Sequence, residues 1–425
     1  MKTISAVLLA LFAVTAVQAQ SLEECRDLAR QHYPETRQYD LIDKAEQYSI
    51  SNAAKSWIPQ ISLSGQATYQ SATPTYPDIF QSMMSANGID MTGIRKDQYK
   101  VAIDIVQNIW DGGVSRTNKE IAKAEATVQR HNADISLYNL QSRIDEIYFS
   151  ILLLEERVRQ IETMTSVLES NLERIRTYYK NGTATLSDVN AIEAEMLTMK
   201  QSLGQVKSAR ESYRGILELF IGKPLQEEPL EYPEIKEVAS NTSARPELAL
   251  LDTRDSQIQL QRKALDAALT PRVSVFAQSY YGYPGLDIFK SMMSPKWTWN
   301  AVAGLRISWN IGPLYTREND LKKLEISQQQ IAVQRDLFLF NSNIATKQQR
   351  DEIERLKKAL EDDRRIVELR HSIRTAAESQ LENGVIATTD LLRKIAEETT
   401  AELNRSTHEI ELLQAIYKLK TTLNQ

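Results

Sequence analysis

The 425-residue sequence has one cysteine, Cys25, which excludes a disulfide framework and any cysteine metal cluster. Histidine is almost as scarce. His32, His131, His371 and His408 are scattered through helical segments, with no partner nucleophile and no second ligand at metal spacing. A Gly-rich phosphate loop, a nucleophile elbow and a His-Glu-x-x-His run are all missing, so neither an enzyme nor a cofactor or metal site is expected. Basic excess is missing too: the formal net charge is -5, which argues against a nucleic-acid partner. After residue 19 no long apolar run occurs, so any crossing of a membrane must be made by β-strands. Proline is absent between Asp78 and Lys223 and again after Pro313, and nothing in those stretches obliges a helix to break.

Heptads fill the first proline-free stretch. Leu140, Ile144, Ile147, Ile151, Leu154, Val158 and Ile161, then Leu168, Leu172, Ile175 and Tyr179, alternate steps of three and four, the spacing of a coiled-coil seam. About 65 residues at ~1.5 Å each make a rod of about 100 Å, too long for the core of a compact domain. After a turn at Asn181-Gly182-Thr183, a return arm carries Leu186, Val189, Met196, Leu203, Val206, Tyr213, Leu217 and Phe220.

The pattern then recurs. Asn181-Gly182 precedes Asp188 as Asn383-Gly384 precedes Asp390; Asn-Gly suits the left-handed end of a helix, and the later Asp suits the start of the next. Pro34-Glu35 matches Pro246-Glu247, Pro59 matches Pro271, and Trp110-Asp111 matches Trp309-Asn310. The chain is an internal duplication. Its divisions are a signal peptide over 1–19, a first copy over 20–221, a linker over 222–245 and a second copy over 246–425. The signal peptide has Lys2, an apolar Ile4–Val17 and small residues at Val17-Gln18-Ala19. Glu23 and Glu24 before Cys25 do not make a lipidation site. The linker is rich in proline and acid.

Within each copy a helical segment leads into a change of period. From Pro59 the period is two: Ile61, Leu63, Gly65, Ala67 and Tyr69 alternate with polar residues, as do Tyr99, Val101, Ile103 and Ile105. The second copy repeats this with Val273, Val275, Ala277 and Tyr281, then Trp297 to Trp309. These are two β-hairpins, 60–110 and 272–309, each followed by a long helical hairpin, 116–221 and 314–425. Each strand is about 9–11 residues with one apolar face, the size of a tilted membrane strand; an ordinary half-buried sheet alternates likewise. Trp57, Trp110, Trp297, Trp299 and Trp309 all lie in or beside strands, as interfacial aromatics do in outer-membrane lipid. Four strands cannot close a barrel, and lipid tolerates no open edge, so several chains must share one. Three chains would give twelve strands over a ring of helices. The fold expected is therefore mostly α with a small β part: long antiparallel coiled-coil hairpins plus two β-hairpins, duplicated, in a trimer with a 12-stranded transmembrane β-barrel on an α-helical barrel. The loops hold a further repeat, Asp78-Ile79-Phe80 to Met83-Met84 and Asp287-Ile288-Phe289 to Met292-Met293. Without His or Cys these Met pairs suit apolar packing better than metal handling.

Ser21-Leu22-Glu23-Glu24-Cys25-Arg26-Asp27-Leu28-Ala29, His32-Tyr33-Pro34-Glu35, Ile58-Pro59-Gln60-Ile61 and the two Asn-Gly tips followed by Val189 and Leu391 resemble the TolC family of outer-membrane channels. The resemblance runs over the mature chain. It implies a homotrimer in the outer membrane of a Gram-negative bacterium, extending into the periplasm. Such a trimer is the exit duct of a tripartite efflux system, docked on a periplasmic adaptor that links it to an RND or ABC inner-membrane transporter. Type I protein secretion uses the same duct, and a poreless periplasmic scaffold is the rival of another class. By position the resemblance makes Asn181, Gly182, Thr183, Asn383, Gly384 and Val385 the adaptor-docking tips. It puts Asp390 at the tunnel-mouth constriction, with Arg393 and Ile386 where some members carry a further acid and a base. Capping a helix is the plainer role open to both Asp188 and Asp390.

Overall fold

A computed structural model of the chain describes residues 20–89, 93–225, 229–234 and 244–424. The expected signal peptide, and part of the linker, lie outside these residues. Two compact units emerge: one comprises the chain up to Gln38, Ala133–Leu248 and Asp336 onward, the other Tyr39–Asn132 and Ala249–Arg335.

The second of these units holds the strands. β1 (Gln60–Tyr69), β2 (Asp97–Trp110), β3 (Arg272–Tyr283) and β4 (Thr298–Ser308) form one antiparallel sheet in the order β1-β2-β3-β4. Its register sets like faces together. Leu63 lies opposite Ile103, Ile105 opposite Ala277, and Val275 opposite Leu305. The apolar face that results is exposed on β1, β2 and β4 and partly so on β3, reaching 73% at Leu63 and 74% at Ile307. Asp104, Gln278 and Lys100 line the other face, where Gln278 joins its amide oxygen to Lys100 Nζ at 2.9 Å and donates to Asp104. β1 and β4 are each paired on one side only.

The tryptophans divide between the two ends of the strands. Trp297 and Trp299 cluster with Tyr281, and Trp297 stacks on Tyr99 at 6.1 Å. At the other end stand Trp57, whose carbonyl accepts from Gln107, then Trp110 and Trp309, whose indole N–H donates to Leu269 O at 2.9 Å. The strand connections are not plain loops: α3 (Asp78–Ala86) and α7 (Ile288–Met293) form in them, an addition to the expected architecture. Met292 joins Ile94 and Tyr283 in a small apolar cluster there.

Besides α3 and α7, two pairs of longer helices take part in this unit. α2 (Arg37–Ala54) lies beside the start of α4 (Val114–Lys180), with Arg130 paired to Asp43 at 2.7 Å and to Glu46. α6 (Pro246–Ala268) lies likewise beside the start of α8 (Arg317–Glu382), through Arg317–Asp266 at 2.8 Å and Arg335–Asp252. Asp111 opens α4 by accepting from the Gly113 and Ser115 amides at 3.0 and 2.8 Å. Its counterpart Asn310 accepts from Gly312 at 3.2 Å.

In the other unit α4 and α8 continue and are met by α5 (Leu186–Ile221) and α9 (Thr388–Leu423). The return arms, 36 residues each, are close to half as long as the 67- and 66-residue outgoing helices. The heptad seam is therefore not one continuous coiled-coil stripe. Tyr148, Phe149 and Leu152, off the expected seam, are fully buried beside Ile144 and Ile151, whereas Tyr179, Leu186 and Tyr213, on it, are exposed. The extra burial has named partners. α1 (Leu22–His32) packs on α5, and Arg26 forks onto Asp145 with two bonds of 2.7 Å. The Tyr148 hydroxyl lies 2.8 and 2.7 Å from the carbonyls of Gln20 and Glu231. Phe149 meets Tyr417 at 5.7 Å between ring centres. Cys25 is sealed in this core, where burial pushes its thiol up to about 12. Among the described residues no helix is long and apolar enough to cross a membrane.

Candidate functional site: the paired helix tips

The α4–α5 connection is a tight C-terminal turn. Gly182 holds a φ of +74°, the Thr183 amide reaches back to Tyr178 O at 2.9 Å, and Gly182 N bonds Tyr179 O at 3.0 Å. The α8–α9 connection repeats it, with Gly384 at +68° and Val385 N on Gln380 O at 2.8 Å. An added Cβ would meet nothing at either glycine, so backbone sign alone demands them. Asn181, Gly182, Thr183, Asn383, Gly384 and Val385 are all exposed, and Val385 is 70% exposed despite being aliphatic.

Below the turns the two hairpins share one core. Met164, Leu168, Leu172 and Ile175 from α4 meet Val189 and Ile192 from α5, Ala377 from α8, and Leu391 and Ile395 from α9. Arg174 crosses from α4 to Glu382 on α8 at 3.2 Å, and Arg176 reaches Glu193 on α5 at 2.6 Å.

The two aspartates differ. Asp188 forms a capping box with Thr185: its carboxylate accepts from the Thr185 amide at 2.9 Å and hydroxyl at 2.6 Å, and its own amide donates to Thr185 Oγ1. These bonds, with a smaller contribution from nearby Thr388, hold its carboxyl below the usual range. Asp390 lacks these bonds: the cap position of α9 is Ala387, with no side-chain capping bond, although Asp390 still places a negative charge in the first turn of the helix. It pairs instead with Arg393 at 3.2 Å, both side chains largely in solvent. Capping hydrogen bonds are thus present at Asp188 and not at Asp390. Ile386, expected with that pair, packs half-buried against the shared apolar core. Thr388, buried in the first turn of α9, comes near enough to Asp188 to help lower its carboxyl, a neighbour that reading the sequence missed.

Farther along the second hairpin a polar belt ties α8 to α9. Glu398, buried, accepts from Arg374 and lies 2.8 Å from His371 Nδ1, Arg370 pairs with Glu397 at 2.5 Å, and His408 Nδ1 stands 2.6 Å from Asp363. Burial, and then the charge of Glu398, push the Glu402 carboxyl above its usual range. Among the described residues no group of three His, Cys, Asp or Glu side chains could hold a metal ion. The tips offer exposed turns, a pair of opposite charges and a shared apolar core.

Residues 26–222 match the family described as outer membrane efflux protein. Solved structures share the fold over nearly the whole chain. The outer membrane protein VceC of Vibrio cholerae is 16% identical, with 95% of each chain covered and a TM-score of 0.67. The outer membrane channel CmeC of Campylobacter jejuni is 12% identical over 95% of this chain and 86% of its own, at 0.66. The open state of the outer membrane channel MtrE of Neisseria gonorrhoeae is 15% identical over 95% and 88%, also at 0.66. No curated protein matches the chain at a significant level.

Proposed function

We propose, from the premise that residues 26–222 belong to the outer membrane efflux protein family and that the chain is an outer-membrane protein, that it is the passive, gated exit duct of a tripartite efflux system. The observation that carries the reading is the sheet: four strands, a largely exposed apolar face, a polar reverse and two unpaired edges. Exposed edges are unstable in lipid, and copies of the chain joining β4 to β1 remove them. Three copies close twelve strands into one barrel, with the helical hairpins ringed below it in the periplasm. Aromatic residues at both strand ends suit the two water interfaces of a membrane.

In this reading each chain comprises a cleaved leader, two copies and their linker. The exposed turns at 181–183 and 383–385 dock a periplasmic adaptor, which links the duct to an inner-membrane transporter. Small molecules pass through; selection of cargo belongs largely to the transporter. Asp390 narrows the mouth, and opening moves the second hairpin against the first.

A photoreactive amino acid placed at Thr183 or Val385 in living cells tests the docking. Both positions are expected to capture a periplasmic adaptor, identified by mass spectrometry. Trimers in the outer membrane without capture would remove the tips as the docking surface. Absence of trimers would end the duct reading.

A further inference from the structure

The polar face of the sheet has a charge that the rest of the chain does not. Its side chains come from the alternate positions 60–68, 98–108, 272–282 and 298–308, fixed by the register. Among them the bases are Lys100, Arg272 and Arg306, and the acid is Asp104. Three positive charges less one negative leave +2 per chain, whereas the whole sequence is -5. Among the described residues none of the three bases has a carboxylate within 4.0 Å.

Two of them rest on aromatic rings: Lys100 Nζ lies 4.6 Å from the centre of the Tyr280 ring, and the Arg306 guanidinium 4.6 Å from that of Phe276. A ring face orients a cation without neutralising it. Phe276 in turn lies opposite Gly304 across β3 and β4, where a Cβ would crowd the ring, so the glycine leaves room for the support under Arg306. Arg272 and Arg306 face Ser308 and Ser274 respectively, which makes them neighbours at one end of the strands. The single acid is engaged, accepting from Gln278 and from Ser64 at 3.4 Å.

We propose that Lys100, Arg272 and Arg306 form an anion-selecting wall inside the barrel, so that anionic solutes, those bearing carboxylate, phosphate or sulfate, pass most readily. This rests on the duct reading, because only closure of the sheet turns its polar face into a lumen. Three copies then place 3 × 2 = 6 net positive charges in a low-dielectric tube, where fields are focused and rings of Lys and Arg favour anions.

Planar-bilayer recordings of the full-length protein in a potassium chloride gradient test it, with the reversal potential giving the chloride-to-potassium permeability ratio. The Lys100→Gln, Arg272→Gln, Arg306→Gln triple variant is expected to lower that ratio about twofold or more against the unchanged protein. An equal ratio overturns the proposal. Where loss of the ring-supported bases prevents insertion, Arg272→Gln alone decides, because that side chain is not one of the two resting on a ring; its ratio must still fall. Failure of the unchanged protein to conduct at all would overturn the duct reading itself, an outcome distinct from conduction with an unmoved ratio.

Discussion

Arg26 and Asp145 show how a single charged pair can lock a core of this kind. Asp145 sits in the middle of α4, where burial pushes its carboxyl above the usual 3.8 while Arg26 pulls it down again. Removing one partner of a buried pair costs about 3–5 kcal/mol, because the other charge stays buried. For Arg26→Ala the sign with pH follows. The stranded carboxyl has a folded pKa above its unfolded value, so the protonated form fits the core and the penalty develops as pH rises past about 4. Arg26→Ala should lower the melting temperature of the detergent-solubilised protein sharply at pH 7.5 and much less at pH 4.5, each against the unchanged protein at the same pH. Adding Asp145→Asn should restore part of the loss at pH 7.5. An equal depression at both pH values would count against a stranded charge. Asp188 runs the other way: its carboxyl is depressed, so its cap is complete above the unfolded pKa and lost as pH falls through the folded one.

Among the elements, the strands make the sharpest claim. An arginine on a lipid-facing strand position costs about 2–4 kcal/mol near the midplane, while one on the lumen side costs little. Leu63 and Ser64 are neighbours on opposite faces, and Ser64 already lies near the Asp104 carboxylate. Leu63→Arg should leave little protein in the outer-membrane fraction, and Ser64→Arg should leave it near the normal amount. Equal loss from both would mean that the apolar face does not meet lipid. This alternation was legible in the sequence because a strand's period of two writes each face separately. The helical hairpins and their Asn-Gly turns were legible too, from uninterrupted heptads and from a φ that glycine alone meets cheaply. The wide burial around Tyr148, Phe149 and Leu152 was not, since it comes from α1 and the linker, which are remote in sequence. Nor were α3 and α7, nine and six residues long, which are too short to carry a helical period.

At the scale of the molecule, the duplication is imperfect where it matters most. The first tip is locked by Thr185 and Asp188, whereas the second has Ala387 at the cap and leaves Asp390 to Arg393. A side-chain cap stabilises a helix start by roughly 1 kcal/mol, so the second hairpin begins its return helix with less local support. On the proposed gating, that asymmetry suits the second hairpin to move and leaves its aspartate free to act at the mouth. Asp390→Ala should therefore raise single-channel conductance in lipid bilayers, and Asp188→Ala, which only loosens a cap, should leave it unchanged. Unchanged conductance with Asp390→Ala would take that residue out of the gate. A rise of the same size in both variants would assign the effect to a weakened tip rather than to charge at the constriction.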